Sequence, residues 1–440
     1  MAEQRKASVP YGKRMKRKKF IGGLDVPFFS IVIILLTIGV ASLLSASYVF
    51  CASSPRCNYD SYFYFKRQLF FASFGVFVMC VISNIDYHKF KNKRLIRIGL
   101  IVTILLLLVA FLTGSGEFKR WIRIGPISFQ PSELAKFMLV IYLATDISEN
   151  WPMITGNGII KNDRRPSASG QGLTLANGMK ESTYMAFKYM IVIGTLAVLV
   201  ALGNHISGAA IILILGMIMM YLGGFSRKMF RRLLFLGVVL VALVLLKPTI
   251  LPANAAKRII IWKYMNGIGT LPESYTAEMI RDQRWQTDNS ICAMGSGRFF
   301  GVGIGKSRMK HLYISEPQND FIFPVVCEEI GFFGASLIVA LFIFLVKRGA
   351  EIGKNADDMF GSLLATGFIY HIGMQIILNL CVVTDVMPNT GISLPFFSYG
   401  GTAIIMMLAE MGVILSVSRM AHMKKDGLPV RKKKGKERNR

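Results

Sequence analysis

Two pairs of ionisable residues stand where an apolar chain has no structural need of them. Asp320 directly precedes the apolar run Phe321-Ile322-Phe323, with Glu316 four residues upstream. A carboxylate at the mouth of an apolar environment acquires a shifted pKa and can do proton chemistry. The plainer reading is a helix N-terminal carboxylate favoured by the dipole. Glu133 and Lys136 form the second pair, three residues apart on one helical face inside another apolar run. An ionisable pair in such a run is costly and rare, which makes it a functional hypothesis; the alternative is an ion pair that only fixes helix packing. Ser132, just before the pair, is placed to cap the helix.

Three further segments are polar. Lys119, Arg120 and Arg123 flank Trp121, a pattern that suits an anchor at the headgroup level of a bilayer. Glycines at 295, 297, 301, 303 and 305 permit close backbone approach, and Lys306, Arg308 and Lys310 follow them. That combination suits a phosphate-bearing ligand, although the spacing is not that of a nucleotide P-loop. Residues 388–402 hold two prolines and three glycines, which forbid a continuous helix. Irregular backbone at membrane depth is tolerated where it is buried in protein or lines a cavity.

The rest of the chain must hold these groups in place. Its 440 residues are 53% hydrophobic and 18% charged, against about 25% charged in an average soluble domain. This excludes a string of soluble domains. Of the net charge of +27, 14 charges lie in the tails 1–26 and 419–440. Basic clusters beside apolar spans act as topology signals and contacts to anionic lipid, so nucleic acid is not the expected partner. Ten apolar stretches can be drawn, at about 27–50, 68–85, 98–114, 133–148, 184–202, 207–224, 233–251, 321–346, 359–384 and 401–418. Ser45-Ala46-Ser47 resembles a signal cleavage site, but the run before it is too long for a signal peptide, and it reads as a retained anchor.

With both termini inside, the inner segments carry 34 Lys/Arg and the outer ones 15. The expectation is an all-α integral membrane protein: a bundle of about ten transmembrane helices, N-in and C-in, with one large extracytoplasmic loop at 252–320. No internal repeat is visible, which weakens an inverted-repeat transporter. Residues 167–177 read as a flexible linker within the inner loop 149–183. The six cysteines show no metal spacing; Cys51 and Cys57 share the first outer loop, where an oxidising exterior could pair them.

Taken together these segments resemble the SEDS family (shape, elongation, division and sporulation), which includes FtsW, RodA and SpoVE. The matching residues begin with Ser45-Ala46-Ser47, Arg120-Trp121-Ile122, Gln130-Pro131-Ser132-Glu133-Leu134 and Lys136. They continue with Gly301 to Ser307, Glu316, Asp320 to Phe323, Glu328-Glu329-Ile330-Gly331, Pro388, Thr390-Gly391 and Leu394 to Gly401. The resemblance covers about residues 27–418. His205-Ile206-Ser207-Gly208 and Glu316-Pro317-Gln318-Asn319-Asp320 look most like the division type. Ser315, Phe397 and Thr402 depart mildly from the family's pattern, and none of these changes removes a charge.

The resemblance implies a multi-pass enzyme of the cytoplasmic (inner) membrane, an inverting peptidoglycan glycosyltransferase. It would polymerise lipid II, an undecaprenyl-diphosphate disaccharide-pentapeptide, at the outer face during cell division. A class B penicillin-binding protein and other divisome proteins would be its partners. Asp320 occupies the family's catalytic position, while Glu133 and Lys136 occupy those of functionally important charges. Candidate substrate contacts are those two with Arg120, Arg123, Ser132, Lys306, Lys310 and Glu316, joined by Ser398, Gly400 and Gly401. The family's activity is associated with a divalent cation, Mg or Mn, with no ligand set legible here; no organic cofactor is expected. The residues are compatible with this chemistry. A sugar hydroxyl attacking an anomeric carbon needs a base, and a departing lipid diphosphate needs cations.

Two rivals stand beside this reading. A lipid II flippase would distribute charge through the membrane depth, whereas Lys188, Lys247 and Glu410 are scattered. A non-catalytic division scaffold would tolerate loss of Asp320. On the polymerase reading the basic tails serve topology and surface contact, each Lys or Arg near an anionic leaflet contributing about 1 kcal/mol. Deleting 427–440 should therefore leave polymerisation in detergent nearly unchanged, as measured on folded, truncated protein.

Overall fold

Without water to pair with, every backbone N–H and C=O in an apolar run must find a partner within the protein, so such runs fold as helices. The computed structural model describes residues 23–113, 121–124, 127–155, 181–311 and 313–425. The ten apolar runs become ten long helices. They are α1 (Val26–Ser53), α2 (Phe63–Ser83), α3 (Lys93–Thr113), α4 (Pro131–Thr155), α5 (Glu181–Leu202), α6 (Ile206–Leu222), α7 (Arg227–Leu246), α10 (Ile322–Lys354), α11 (Met359–Val383) and α12 (Gly401–Lys425). Seven of them, α1, α2, α3, α5, α10, α11 and α12, are long and apolar enough to cross a membrane. The other three depart for visible reasons. α6 has only 17 residues, α4 carries Glu133, Lys136, Asp146 and Glu149, and α7 opens on Arg227 and Lys228.

The helices pack around α11 and α12. α12 lies against α2, and α11 against α10 and α4. Of the α12 span 83% is buried, against 22% for α2 and α3, so α12 is central and those two are peripheral. The start of α1 and the end of α10 share one end of the bundle, where Arg348 pairs with Asp25 at 2.9 Å. At that end His88 lies between Asp86 (2.8 Å) and Asp358 (3.3 Å), and its hydrogen bond to Asp358 raises its pKa.

The segment 252–320 is more ordered than the expected loop. It contains α8 (Ala253–Met265) and α9 (Ala277–Ser296). α9 is mostly polar, so an apolar search passes over it. Thr276 caps it by accepting from the Met279 N–H, and Glu278 sits in its first turn. Arg284 then pins α9 to Asp385 at 2.7 Å, and Ser290 donates to the Val383 carbonyl at 2.8 Å.

The glycine-rich segment that suggested a phosphate ligand is committed to packing instead. α10 leaves helical geometry at Gly331 (φ 70°, ψ −175°), which frees backbone groups on both sides of the break. The segment 298–303 takes them up. Val302 and Gly303 N–H groups donate to the Glu328 and Glu329 carbonyls at 2.9 and 3.0 Å, and Phe332 and Phe333 N–H groups donate to Arg298 and Phe299 at 2.8 and 3.0 Å. Glycine is required on both faces. A Cβ on Gly301 would fall 2.2 Å from the Glu329 carbonyl oxygen, and one on Gly331 would fall 2.2 Å from the Gly301 nitrogen. Glu328 accepts from the Ser307 hydroxyl (2.5 Å) and the Arg308 N–H (2.9 Å), while Glu329 pairs with Lys310 at 2.9 Å.

Two smaller expectations also change. α4 starts at Pro131, whose missing N–H suits a first helical position, so Ser132 lies within the first turn and does not cap it. Cys51 and Cys57 are buried free thiols, with Cys51 hydrogen-bonded to Cys57. The tails beyond 23–425 and the linker 167–177 lie outside the described residues.

The backbone contact makes a two-variant prediction. Gly301→Ala should lower unfolding stability by at least about 3 kcal/mol, clash and left-handed strain combined. Gly305→Ala, also at positive φ but facing open space, should cost only about 1–2 kcal/mol. Thermal unfolding of the purified protein reads the difference.

Candidate functional site

A cavity of about 1130 Å³ opens at the end of the bundle where α4, α6, α10 and α12 begin and α3 and α11 finish. One wall is a hairpin of β1 (Ile122–Ile124) and β2 (Ile127–Phe129), paired antiparallel with Ile122 opposite Phe129. Trp121 and Ser128 line the cavity from it, and the Thr402 hydroxyl donates to the Ser128 carbonyl at 3.0 Å. Trp121 therefore faces the cavity, where the sequence suggested a headgroup anchor.

The floor is charged. Glu133 and Lys136 line it, 7% and 1% exposed, with Nζ 2.8 Å from Oε1. A pair so enclosed stabilises little by itself, and losing either member strands the other charge. Behind it, Gln130 and Ser132 approach His205 Nδ1 at 3.4 and 3.3 Å, which joins α4 to the start of α6.

The mouth carries Glu316, Asn319 and Asp320. Glu316 adopts φ 53° and is met by Arg56 at 3.3 Å and by the Asn319 amide at 2.8 Å. Asp320 stands before α10, whose N-cap is Phe321 and has no side-chain cap. Asn379 of α11 fixes this stretch, donating to the Asp320 carbonyl at 2.8 Å and to the Ile392 carbonyl at 2.7 Å.

The third wall is the irregular segment before α12, lined by Gly391, Ile392, Ser393, Ser398, Tyr399 and Gly400. Buried side chains pair several of its backbone groups. The Ser398 hydroxyl accepts from Leu394 N–H (2.8 Å), the fully buried Gln68 bonds the Ser398 carbonyl and the Gly400 N–H (3.2 and 3.3 Å), and Ser207 donates to the Thr390 carbonyl (2.9 Å). Val109, Ile211, Ala403 and Met407 give the cavity an apolar side.

Of the candidate residues, Asp320, Glu316, Glu133, Lys136, Ser398 and Gly400 share this cavity. Ser132 lies behind the floor on His205. Gly401 opens α12, where a Cβ would meet the Phe71 ring at 2.7 Å. Lys310 is buried in its pair with Glu329 and also reaches the Ser45 hydroxyl at 2.9 Å, away from the cavity lining. Lys306 is exposed. Arg120 lies outside the described residues, as does the side chain of Arg123. The cavity adds Arg56, Gln130, His205, Asn319, Gln375 and Tyr399. Gln375 and Asn379 carry a sequence signal, two amides four residues apart in an apolar run. Arg56 carries none.

Among the described residues, no group of three or more His, Cys, Asp or Glu is gathered to hold a metal by itself. Glu316 and Asp320 both line the mouth, and their carboxylates are oxygen donors of the kind a hard cation takes.

A bundle of apolar helices around a polar cavity, closed at its floor by a buried ion pair and open at one end, defines a multi-pass membrane protein with a candidate site at one end. The family follows from comparison: residues 26–423 match the FtsW/RodA/SpoVE model, described as cell cycle protein, and the chain belongs to that family. It is 34% identical to stage V sporulation protein E of Bacillus subtilis (strain 168), covering 90% of this chain and 97% of that protein. It is 32% identical to the probable peptidoglycan glycosyltransferase FtsW of Geobacter sp. (strain M18), with the same coverage of 90% and 97%. The fold matches a chain from a peptidoglycan synthase complex studied for the coordination of polymerization and crosslinking (TM-score 0.64, 21% identity, 91% and 98% covered). It also matches the rod shape determining protein RodA of Thermus thermophilus (TM-score 0.57, 20% identity, 90% and 97% covered).

The two lysines that the sequence grouped together should separate. Lys310→Met strands Glu329 and should cost about 3–5 kcal/mol. Lys306→Ala should stay within about 0.5 kcal/mol of the parent. Denaturation of both variants in detergent measures this.

Proposed function

We propose that the chain is a peptidoglycan glycosyltransferase that polymerises lipid II at the outer face of the cytoplasmic membrane, with Asp320 as general base. The observation that carries this reading is that Asp320 and the Glu133–Lys136 pair face one cavity. The names of its relatives support the enzyme class. The charge bias of the loops supports an N-in, C-in orientation, which sets the cavity outside.

In this mechanism a hydroxyl of one saccharide attacks the anomeric carbon of the next while Asp320 takes its proton. The bond from that carbon to the diphosphate oxygen breaks with inversion, and the lipid diphosphate leaves with the electron pair. Lys136 at the floor and Arg56 at the mouth stabilise its charge. Val109, Ile211 and Met407 hold the first part of the lipid chain. When bound, Mg or Mn would be held by Asp320 and Glu316 and would supply further neutralisation of the leaving group.

The division setting is supported by His205-Ile206-Ser207-Gly208 and by Glu316 to Asp320, and by relatives named FtsW. A class B penicillin-binding protein is the proposed partner, supported by the likeness to a synthase complex that couples polymerization to crosslinking.

Reconstitution with purified lipid II and the cognate transpeptidase tests the reading. Asp320→Asn keeps the size and removes the proton acceptor, so turnover should fall at least ~100-fold while lipid II binding survives. A larger defect for Glu316→Gln would move the base to that residue. Near-normal polymer from Asp320→Asn would remove Asp320 from the chemistry, and translocation without polymer would favour the flippase.

A further inference from the structure

One side chain in the cavity wall is polar, enclosed and uncommitted. Gln375 of α11 is 3% exposed and lines the cavity, and its Oε1 has no hydrogen-bond partner among the described residues. Other polar groups of the lining are engaged: Asn319 with Glu316, Gln130 with His205, and Ser398 with the Leu394 N–H. An enclosed amide oxygen without a donor is costly, so an unpaired one in a cavity wall points to a donor that a ligand brings. No hydrogen bond holds the amide among the described residues, and a Gln amide turns about its last bond at little cost. It can therefore present Oε1 to the cavity.

The packing of α11 fixes the depth of this amide. Asn379 and Gln375 are four residues apart on one face, so Gln375 lies about 6 Å nearer the floor. Asn379 donates to the Asp320 carbonyl at 2.8 Å, which puts Asp320 at the upper end of that face. α4 runs the opposite way: Phe137 stacks on Phe368 at 5.1 Å, and a Cβ on Gly367 would meet Val140 at 2.7 Å. One turn back from Phe137 is Glu133, and one turn on from Phe368 is Ile372. Gln375 thus stands between the Glu133–Lys136 pair below and Asp320 above. α12 also runs opposite to α11, and its Glu410 meets His371 at 3.0 Å. One turn from each, Met407 comes level with Gln375, and Ala403 lies one turn higher; both line the cavity.

With the base above and the diphosphate's cation below, the level of Gln375 is that of the anomeric carbon and its neighbour, C2. A diphosphate has no donor to give Oε1 at neutral pH. A hydroxyl on C2 has a donor but nothing apolar to set against Ala403. An acetamido group on C2 has both, an N–H and a methyl. We infer that Gln375 is the specificity contact for a 2-acetamido sugar, its Oε1 accepting the acetamido N–H while the acetyl methyl lies on Ala403. Gln375 takes no part in bond making or breaking; it selects the sugar and sets the turn of its ring. The inference rests on the proposed reading of the cavity as a site for a lipid-diphosphate sugar.

The test is calorimetric titration of the full-length protein in lipid nanodiscs, with empty nanodiscs as the blank. The ligands are farnesyl diphosphate, farnesyl-diphosphoryl N-acetylglucosamine and farnesyl-diphosphoryl glucose. The wild type should bind the acetamido sugar at least about tenfold more tightly than the glucosyl one. Gln375→Leu keeps the size and removes an unpaired polar group, a change a buried site tolerates, so the variant should fold. Its preference should shrink to about twofold or less, with farnesyl diphosphate bound as by the wild type. Gln375→Glu keeps an acceptor for the N–H and adds charge, so it should weaken all three ligands and retain the preference. A wild type without preference, a Gln375→Leu variant that keeps it, or a Gln375→Glu variant that loses it overturns the inference and leaves the cavity reading standing. Equal weakening of all three ligands by Gln375→Leu marks a purely structural side chain and overturns it too. No binding of farnesyl diphosphate by the wild type overturns the cavity reading, and the inference with it.

Discussion

Backbone that leaves the helix inside an apolar bundle must have each N–H and C=O paired by protein, and this constraint governs the molecule. It applies at two places, the break in α10 and the segment before α12. At the first, backbone pairs with backbone, which only Gly301 and Gly331 permit. At the second, side chains do the pairing, and Gln68, Ser207 and Asn379 are buried amides and hydroxyls set aside for it. The same bonds hold the site. Asn379 joins the carbonyls of Asp320 and Ile392, and the Tyr399 N–H donates to the Gln318 carbonyl at 2.8 Å. Two cavity walls from distant parts of the chain are therefore tied at the backbone, a firmer support than side-chain packing alone would provide.

Buried carboxylates are the second cost, and each is compensated differently. Glu328 is held by the Ser307 hydroxyl and backbone N–H groups, Glu329 by Lys310, Glu133 by Lys136 and Glu410 by His371. The geometry separates structural charges from available ones. Lys310 spends its three donors on Glu329, Ser45 and the Gly305 carbonyl, with none left for a ligand. Lys136 makes its bond to Glu133 and still lines the cavity. Of the two lysines, Lys136 is therefore the one with donors left on the cavity side.

What was legible in the sequence follows from how local each signal is. Apolar runs of helical length marked ten helices, because span length is set by the bilayer and read directly. The Glu133–Lys136 pair was legible because three residues along a helix is a short distance in space. α9 was hidden because a polar helix held by Arg284 and Ser290 leaves no apolar trace. The glycine-rich segment was misread for a definite reason. Glycine followed by lysine suits a phosphate cradle and a helix-packing loop equally, and the choice depends on Glu328 and Glu329, which lie far along the chain. Arg56 and Glu316 are 260 residues apart, and nothing local in either announces the other. His371 and Glu410 sit on different helices, so Glu410 alone looked like a stray charge.

The site is therefore firm below and yielding above. At its floor the Lys136 and Glu133 side chains are only 1% and 9% exposed, and losing either strands the other charge. At its mouth, Arg56 and Glu316 are 77% and 45% exposed at the side chain. An ion pair with that exposure contributes about 0–1 kcal/mol, so it opens readily. Glu316 also holds a left-handed φ of 53°, which costs a non-glycine residue about 1–2 kcal/mol and is released when the turn relaxes. The mouth is therefore held weakly at Arg56 and Glu316, while Gln318, 1% exposed, stays tied to the Tyr399 N–H. Asp320 is held as well, because Asn379 donates to its carbonyl from below. The Arg56–Glu316 contact can then open while the Asp320 backbone keeps its position relative to Asn379 and α11.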